Sequence, residues 1–393
     1  MPAASTAAVG GRDTLLHRYM PSLDGLRGIA ILWVIIHHLP GQLGADASFI
    51  AKRGAVGVEL FFAISGFLVT RSLYQCVARA ANRRGMTLAV VRDFAVRRIA
   101  RIWPPYFLVL IAAFAGLQFD PTFRSNSGQI REVLWAYPSF LANYVIPTHE
   151  PSLSLIVMWS LCFEEQFYVI LLLMYVAIRQ RLDRLWWLLA AAGLGSIVAR
   201  LFAATFYPEL FFKYVMQMQT HWRFDAIAWG CLVWVFHRPL AELWEKSRQP
   251  ALLQGVLLAA SVAVSLPYPE GAAARAWQYA LMGPVFAALV SGLAFAPAAW
   301  LTRAMAWAPL AFVGVISYEI YLSHTVVYRV IERLHPRPWG SFEYPSLIAA
   351  AIFTGWVFHR VFGKPTQRWM RELLAGRTPK GKDSLLAPVA ARS

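Results

Sequence analysis

The sequence predicts an all-α fold, a polytopic membrane bundle of about ten transmembrane helices, with residues 133–147 as a re-entrant or surface segment. Three observations predict it. The chain is 58% hydrophobic and only 15% charged, whereas soluble domains average about 45–50% apolar and about 25% charged residues. Eleven apolar runs recur along its 393 residues. Sixteen tryptophans are present, and many flank those runs (Trp103, Trp186, Trp187, Trp277, Trp307), as in an interfacial aromatic belt.

The runs lie near 26–44, 55–77, 102–119, 133–147, 155–178, 185–206, 222–236, 250–267, 277–298, 307–331 and 343–363. A spanning helix needs about 20 mostly apolar residues. The run at 133–147 is short and interrupted by Pro138, Asn143 and Pro147. Charge parity decides its fate. Segment 78–101 carries Arg79, Arg83, Arg84, Arg92, Arg97, Arg98 and Arg101 against Asp93 alone, so the positive-inside rule puts it in the cytoplasm. If 133–147 crossed, Arg179, Arg181, Arg184, Arg238, Lys246, Arg248 and the tail from Lys364 would all face outward. If it does not cross, they all face inward. Ten spans with both termini cytoplasmic follow.

Residues 1–20 form a cytoplasmic segment with no apolar stretch of signal-peptide type, and the first span is expected to serve as its own insertion signal. Residues 21–363 form the transmembrane domain. Residues 364–393 read as a basic, disordered cytoplasmic tail. Span three is expected to start at Trp103-Pro104-Pro105, because proline is tolerated in a first helical turn. The net charge of +16 could suggest nucleic acid, but the arginines sit beside apolar runs, which favours topology over nucleic-acid binding. Cys76, Cys162 and Cys231 show no metal-ligand spacing and read as packing residues.

Ionisable groups inside a membrane are expensive unless paired or hydrated. Each either pins helices together or serves chemistry. Arg27 and His38 are eleven residues apart. Eleven steps of about 100° come to roughly 20° past three turns, so both share one helix face, about 16 Å apart along the axis. His37 is rotated away from that face. Asp24 lies near it and is placed to orient Arg27. In this topology Arg27 sits at the inner face and His38 in the outer half of span one. A neutral imidazole suits general-base work, and a carboxylate such as Glu164 or Glu59 is expected to fix its tautomer.

Arg98 and Arg101 are three apart and neighbour each other on a helix. Paired guanidiniums at the inner edge suit bidentate phosphate binding, and a polyphosphate cofactor such as coenzyme A fits. Topology signalling and anionic headgroups are the plain alternative. Ser65 and Gly66 allow close helix approach. Ser65 lacks the strand-to-helix elbow of a nucleophile. Glu165, Asp225, Glu319 and His324 complete the candidates.

Five ordered segments then carry a resemblance. They are Leu23-Asp24-Gly25-Leu26-Arg27 with His38, and Gly57-Val58-Glu59-Leu60-Phe61-Phe62 through Ser65-Gly66-Phe67. Arg98 to Arg101 with Trp103-Pro104 follows, then Trp159-Ser160-Leu161-Cys162-Phe163-Glu164-Glu165-Gln166-Phe167-Tyr168, and Ser317-Tyr318-Glu319-Ile320-Tyr321-Leu322-Ser323-His324. Together they resemble the acyltransferase-3 family of bacterial integral-membrane O-acyltransferases. The resemblance implies a multi-pass enzyme of the bacterial inner membrane that moves an acyl group, most commonly acetyl from acetyl-CoA, to a hydroxyl of an envelope glycan or glycolipid. It maps donor binding onto Arg27, Arg98 and Arg101 and catalysis onto His38 and Glu164. Asp24, Glu59, Ser65, Glu165, Tyr168 and His324 are supporting candidates. No metal is expected. Glu319 and Cys162 depart from the family pattern. Any extracytoplasmic protein that handles the acceptor is expected to be a separate chain. A proton-coupled transporter, or acylation of a small molecule such as a macrolide, is the rival reading. The absence of an inverted repeat in the sequence speaks against a transporter.

Overall fold

A computed structural model describes residues 14–40, 53–80, 86–117, 119, 133–145, 155–209, 218–267, 269–335 and 343–374. Among them the secondary structure is helical throughout. The α-helices in chain order are α1 (Thr14–His17), α2 (Pro21–His37), α3 (Ala55–Ala80), α4 (Met86–Leu117), α5 (Ala142–Val145), α6 (Met158–Ala177), α7 (Leu185–Phe206) and α8 (Thr220–Val235). They continue with α9 (His237–Lys246), α10 (Pro250–Ser265), α11 (Ala272–Phe295), α12 (Trp300–Met305), α13 (Ala308–Val315), α14 (Ser317–Leu334), α15 (Tyr344–Phe358) and α16 (Lys364–Leu374). The protein is a multi-pass helical membrane bundle.

Six helices are long and apolar enough to cross a bilayer, or seven when the bent pair α13 and α14 counts as one span. Helices α2, α8 and α10 cover three further apolar runs with 17, 16 and 16 residues. That is shorter than the length usual for a span. The run at 307–331, expected as one helix, bends by 71° between α13 and α14. Residues 133–145 form only the 3-10 turn Leu134–Ala136 and the four-residue α5, so no spanning helix exists there.

Local chemistry sets the elements that frame the site. Helix α2 starts on Pro21, whose missing amide is no loss in a first turn. It buries Leu23, Leu26, Ala30, Ile31, Val34 and Ile35. Gly28 lets α13 lie directly against it, because a Cβ there would run into the Leu310 carbonyl. Between α3 and α8, Gly66 and Gly230 do the same, each facing the main chain of the other helix. Helix α8 is central and packs on α3, α7 and α11, while α14 packs on α15.

Two expectations are corrected. Helix α4 starts at Met86, so Pro104 and Pro105 lie inside it and not in its first turn. The extension forms because Val90 and Phe94 bury on one face of 86–101, which makes the arginine-rich segment an amphipathic helix. Lys364–Leu374, expected as the start of a disordered tail, is helix α16 packed on α4. A π-helical turn at His359–Gly363 leads into it.

Candidate active site

Helices α2, α3, α4, α6 and α14 converge on a cavity of about 430 Å³, a size that suits a small-molecule ligand. It is lined by Arg27, Ser65, Arg98, Arg101, Glu164, Tyr168 and Tyr318, together with His17, Arg18, Tyr19, Arg71 and Gln75. Six of the sequence-predicted residues therefore meet in one place. The donor candidates Arg27, Arg98 and Arg101 share it with Glu164, Ser65 and Tyr168.

Glu164 is the hub. One carboxylate oxygen accepts a hydrogen bond from Ser65 Oγ at 2.9 Å, and the other accepts one from Tyr168 Oη at 2.8 Å. Tyr168 lies one turn along α6, the i,i+4 spacing that aligns side chains on a helix. The Arg98 guanidinium stacks over the Tyr168 and Phe94 rings at 5.4 and 5.6 Å, a cation–π arrangement. Its Nε is buried and makes no hydrogen bond among the described residues. Arg27 interacts electrostatically with Arg101, which repels it, and with Asp24, Glu164 and Glu319, which attract it. Among the described residues, Arg27, Arg98 and Arg101 form no ion pair within salt-bridge distance. Among the described residues Glu164 is the only carboxylate in the cavity lining, so their side chains give the site a net excess of cation.

The N-terminal segment borders the cavity and is tied to α3. Arg71 Nε donates to the Leu16 carbonyl at 3.1 Å, its Nη2 donates to the Arg18 carbonyl, and Gln75 Nε2 donates to the Leu16 carbonyl at 2.7 Å. Partial burial, reinforced by the Asp24 carboxylate, pushes the Tyr19 hydroxyl up to about 12, so it stays protonated at neutral pH. Asp24 acts electrostatically on both Tyr19 and Arg27. Sequence reasoning missed Arg71, Gln75 and the lining role of Tyr318. Arg71 was the readable signal, an arginine inside an apolar run.

His38 caps the far end of α2. Its Nδ1 lies 2.9 Å from the Val34 carbonyl. A carbonyl only accepts, so Nδ1 carries the proton, and in the neutral ring Nε2 keeps the lone pair. The ring lies 4.7 Å from His37 and 5.1 Å from His324, centroid to centroid. The tautomer is therefore fixed by the main chain and not by Glu164 or Glu59. Glu164 is held by Ser65 and Tyr168, and no hydrogen bond joins it to His38 among the described residues. Glu59 is buried in an ion pair with Arg223 of α8. Glu165 faces α4, where its Oε2 accepts from Trp103 Nε1 at 3.0 Å. His324 is fully buried. Its Nδ1 lies 3.1 and 2.8 Å from the carbonyls of Ile320 and Tyr321.

The two departures from the expected pattern have structural partners. Glu319 Oε1 accepts from His359 Nδ1 at 2.9 Å. Cys162 Sγ lies 4.0 Å from Tyr106 Oη. Among the described residues no cluster of three metal-ligating side chains occurs.

Chemically, the arginine cavity suits an anion, and the His38 lone pair suits proton abstraction. Comparison with known proteins agrees in class. A peptidoglycan O-acetyltransferase of Listeria monocytogenes, OatA, is 28% identical over 348 residues, covering 82% of this chain and 52% of that protein. YrhL of Bacillus subtilis, provisionally designated a peptidoglycan O-acetyltransferase, is 29% identical over 327 residues, 78% of this chain and 48% of its own length. A Staphylococcus aureus protein provisionally designated an O-acetyltransferase is 29% identical over 194 residues, 46% of this chain and 30% of its own. The chain spans about half the length of the first two relatives. No solved structure matches it. The acyltransferase-domain family model matches residues 20–360, and with that extent the chain belongs to the acyltransferase-3 family.

Proposed function

We propose that the protein is a membrane O-acetyltransferase that moves an acetyl group from acetyl-CoA, bound from the cytoplasm, to a hydroxyl of an envelope glycan. The observation that carries this reading is the cavity in which Arg27, Arg98 and Arg101 gather with no acid within salt-bridge distance of any of them among the described residues. Guanidiniums grip phosphate oxygens bidentately, and coenzyme A presents several phosphates. Arg27 stands on the same helix as His38, so one element links the anion-binding end to the base. Peptidoglycan is the acceptor named for the relatives, and a glycan of that class is the acceptor proposed here.

In this reading Arg98 and Arg101 hold the phosphates, and Tyr168 stacks beneath Arg98 to fix its plane. Arg27, flanked by Asp24 and Glu164, steers the pantetheine arm toward the outer half of the bundle. Glu164 positions that arm through the Ser65 and Tyr168 hydroxyls that it orders. His38 Nε2 removes the acceptor's hydroxyl proton as the oxygen–carbon bond forms. The carbon–sulfur bond breaks, and the departing thiolate takes up a proton equivalent. With its tautomer fixed by Val34, His38 offers the correct lone pair on every cycle. Both termini lie in the cytoplasm in this topology.

The test uses labelled acetyl-CoA and membranes bearing the protein. Label recovered on envelope glycan supports the reading. Hydrolysis or binding without label transfer contradicts it.

A further inference from the structure

We infer that the donor cavity has a second phosphate subsite, built by the Arg18 and His17 side chains, which binds the ribose 3′-phosphate of coenzyme A while Arg98 and Arg101 hold its diphosphate. The identity of the donor rests on the proposed function. The subsite itself stands on the geometry of the N-terminal segment.

The cavity is long. Helix α3 lines it with Ser65, Leu68, Ser72 and Gln75. Their spacing of three, four and three residues makes them one stripe along a helix face. Ten residues separate Ser65 from Gln75, about 15 Å at a rise of 1.5 Å per residue. Ser65 marks the end where Glu164 lies. Gln75 marks the other end, where its Nε2 donates to the Leu16 carbonyl. A ligand that follows this stripe is extended and reaches both ends.

The Gln75 end carries its own cations. Arg18 and His17 line the cavity there. His17 and Tyr19 are exposed and Arg18 is half-buried, whereas Tyr168, beside Glu164, is buried. The N-terminal segment is therefore the solvent-facing rim. It is held by its main chain, because Arg71 and Gln75 donate to the carbonyls of Leu16 and Arg18. That clasp uses no side-chain atom of His17 or Arg18. Among the described residues neither side chain enters a hydrogen bond or an ion pair. Asp24 acts on Tyr19 and Arg27 but does not line the cavity.

Coenzyme A matches this layout. Its diphosphate lies between the pantetheine arm and the nucleotide, and its 3′-phosphate is a monoester dianion at the nucleotide end. With the thioester directed past Arg27 toward His38, the nucleotide points back to the rim. There the Arg18 guanidinium grips two phosphate oxygens, and a ring N–H of His17 donates to the third. The clasp holds the rim in place before the ligand arrives, so binding costs little ordering. Arg71 and Gln75 are positioning residues for this subsite.

The test measures equilibrium binding of acetyl-CoA and of acetyl-3′-dephospho-CoA to the full-length protein in nanodiscs. Wild type should prefer acetyl-CoA by about 10-fold or more. Arg18→Ala should lower the affinity for acetyl-CoA to that for the dephospho donor. Arg18→Lys keeps the charge but not the two-point grip and should lose part of the preference, which decides the matter if Arg18→Ala does not fold. Equal affinity of wild type for the two donors overturns the subsite, as does an Arg18→Ala variant that keeps the full preference or weakens both donors by the same factor. Wild type that binds neither donor overturns the proposed function and the subsite with it. Equal binding of both donors with acetyl transfer intact removes the subsite alone.

Discussion

Two groups of buried charge in this bundle have opposite designs. In one, on α3, α7 and α8, every charge has an answering partner. Arg200 meets Asp225 through two hydrogen bonds of 2.7 Å, with Ser196 donating to the same carboxylate at 3.3 Å. Arg223 pairs with Glu59 and sits over the Tyr279 and Trp159 rings at 4.3 and 5.8 Å. In the other, on α2, α4 and α6, three arginines gather around Glu164 and a cavity. Arginines in both groups lie within the bundle, but only the second leaves charge unanswered. A closed pair ties helices together, whereas unanswered cations beside a cavity call for an anionic ligand.

Removing one partner of a closed pair should have the largest effect. Asp225→Ala strands Arg200, which is 1% exposed. The expected loss is about 3–5 kcal/mol, a large share of a typical stability of about 5–15 kcal/mol. Thermal unfolding of the detergent-purified protein should register it as a lowered midpoint or loss of folded material. A variant as stable as wild type would break the distinction between the groups.

The cavity should behave in the opposite way. Arg98→Ala combined with Arg101→Ala removes charge that has no acid partner, so folding should survive. Each charge-assisted hydrogen bond to phosphate is worth about 1.5–3 kcal/mol, so KM for acetyl-CoA should rise at least about 10-fold. Steady-state kinetics at saturating acceptor checks this. An unchanged KM would return these arginines to a purely topological role.

A smaller change should follow from Tyr168→Phe. It keeps the ring under Arg98 and deletes the hydrogen bond to Glu164. One such bond to a charged group is worth about 1.5–3 kcal/mol, an upper bound here because Ser65 still holds the carboxylate. A kcat/KM decrease of about 10-fold is expected. Equal activity in the two proteins would show that Glu164 needs only Ser65. The smallest effect should come from salt. The cavity is open to the medium at its arginine end in the proposed reading, so acetyl-CoA affinity should weaken as ionic strength rises and the Debye length shrinks from about 10 Å at 0.1 M to about 3 Å at 1 M. The closed pairs should leave the unfolding midpoint nearly insensitive over the same range.

The comparison also explains what could be read from the sequence. The i,i+3 spacing of Arg98 and Arg101, the shared face of Arg27 and His38, and the order of the motifs named most of the cavity lining. The helical class followed from composition. Partnerships between distant segments were not legible. Glu59 finds Arg223, and His38 finds His324, across more than 150 and more than 280 residues of chain, and no local periodicity encodes either meeting. The closed pair Arg200–Asp225 was hidden for the same reason. The length of α4 was misjudged because two prolines read as a helix start, whereas burial of Val90 and Phe94 carries the helix past them. Likewise α16 was hidden in a basic, polar stretch, which forms a helix by packing on α4.

The central claim is that unanswered arginines bind the donor while His38 performs the proton transfer. It is tested most directly by following both steps in one preparation. Purified wild type, His38→Ala and the Arg98→Ala, Arg101→Ala double variant would each be measured for equilibrium binding of labelled acetyl-CoA and for label transferred to glycan. The account predicts that His38→Ala binds acetyl-CoA like wild type but transfers no label, and that the arginine double variant loses binding. Transfer by folded His38→Ala at the wild-type rate, or wild-type binding by the double variant, would contradict it.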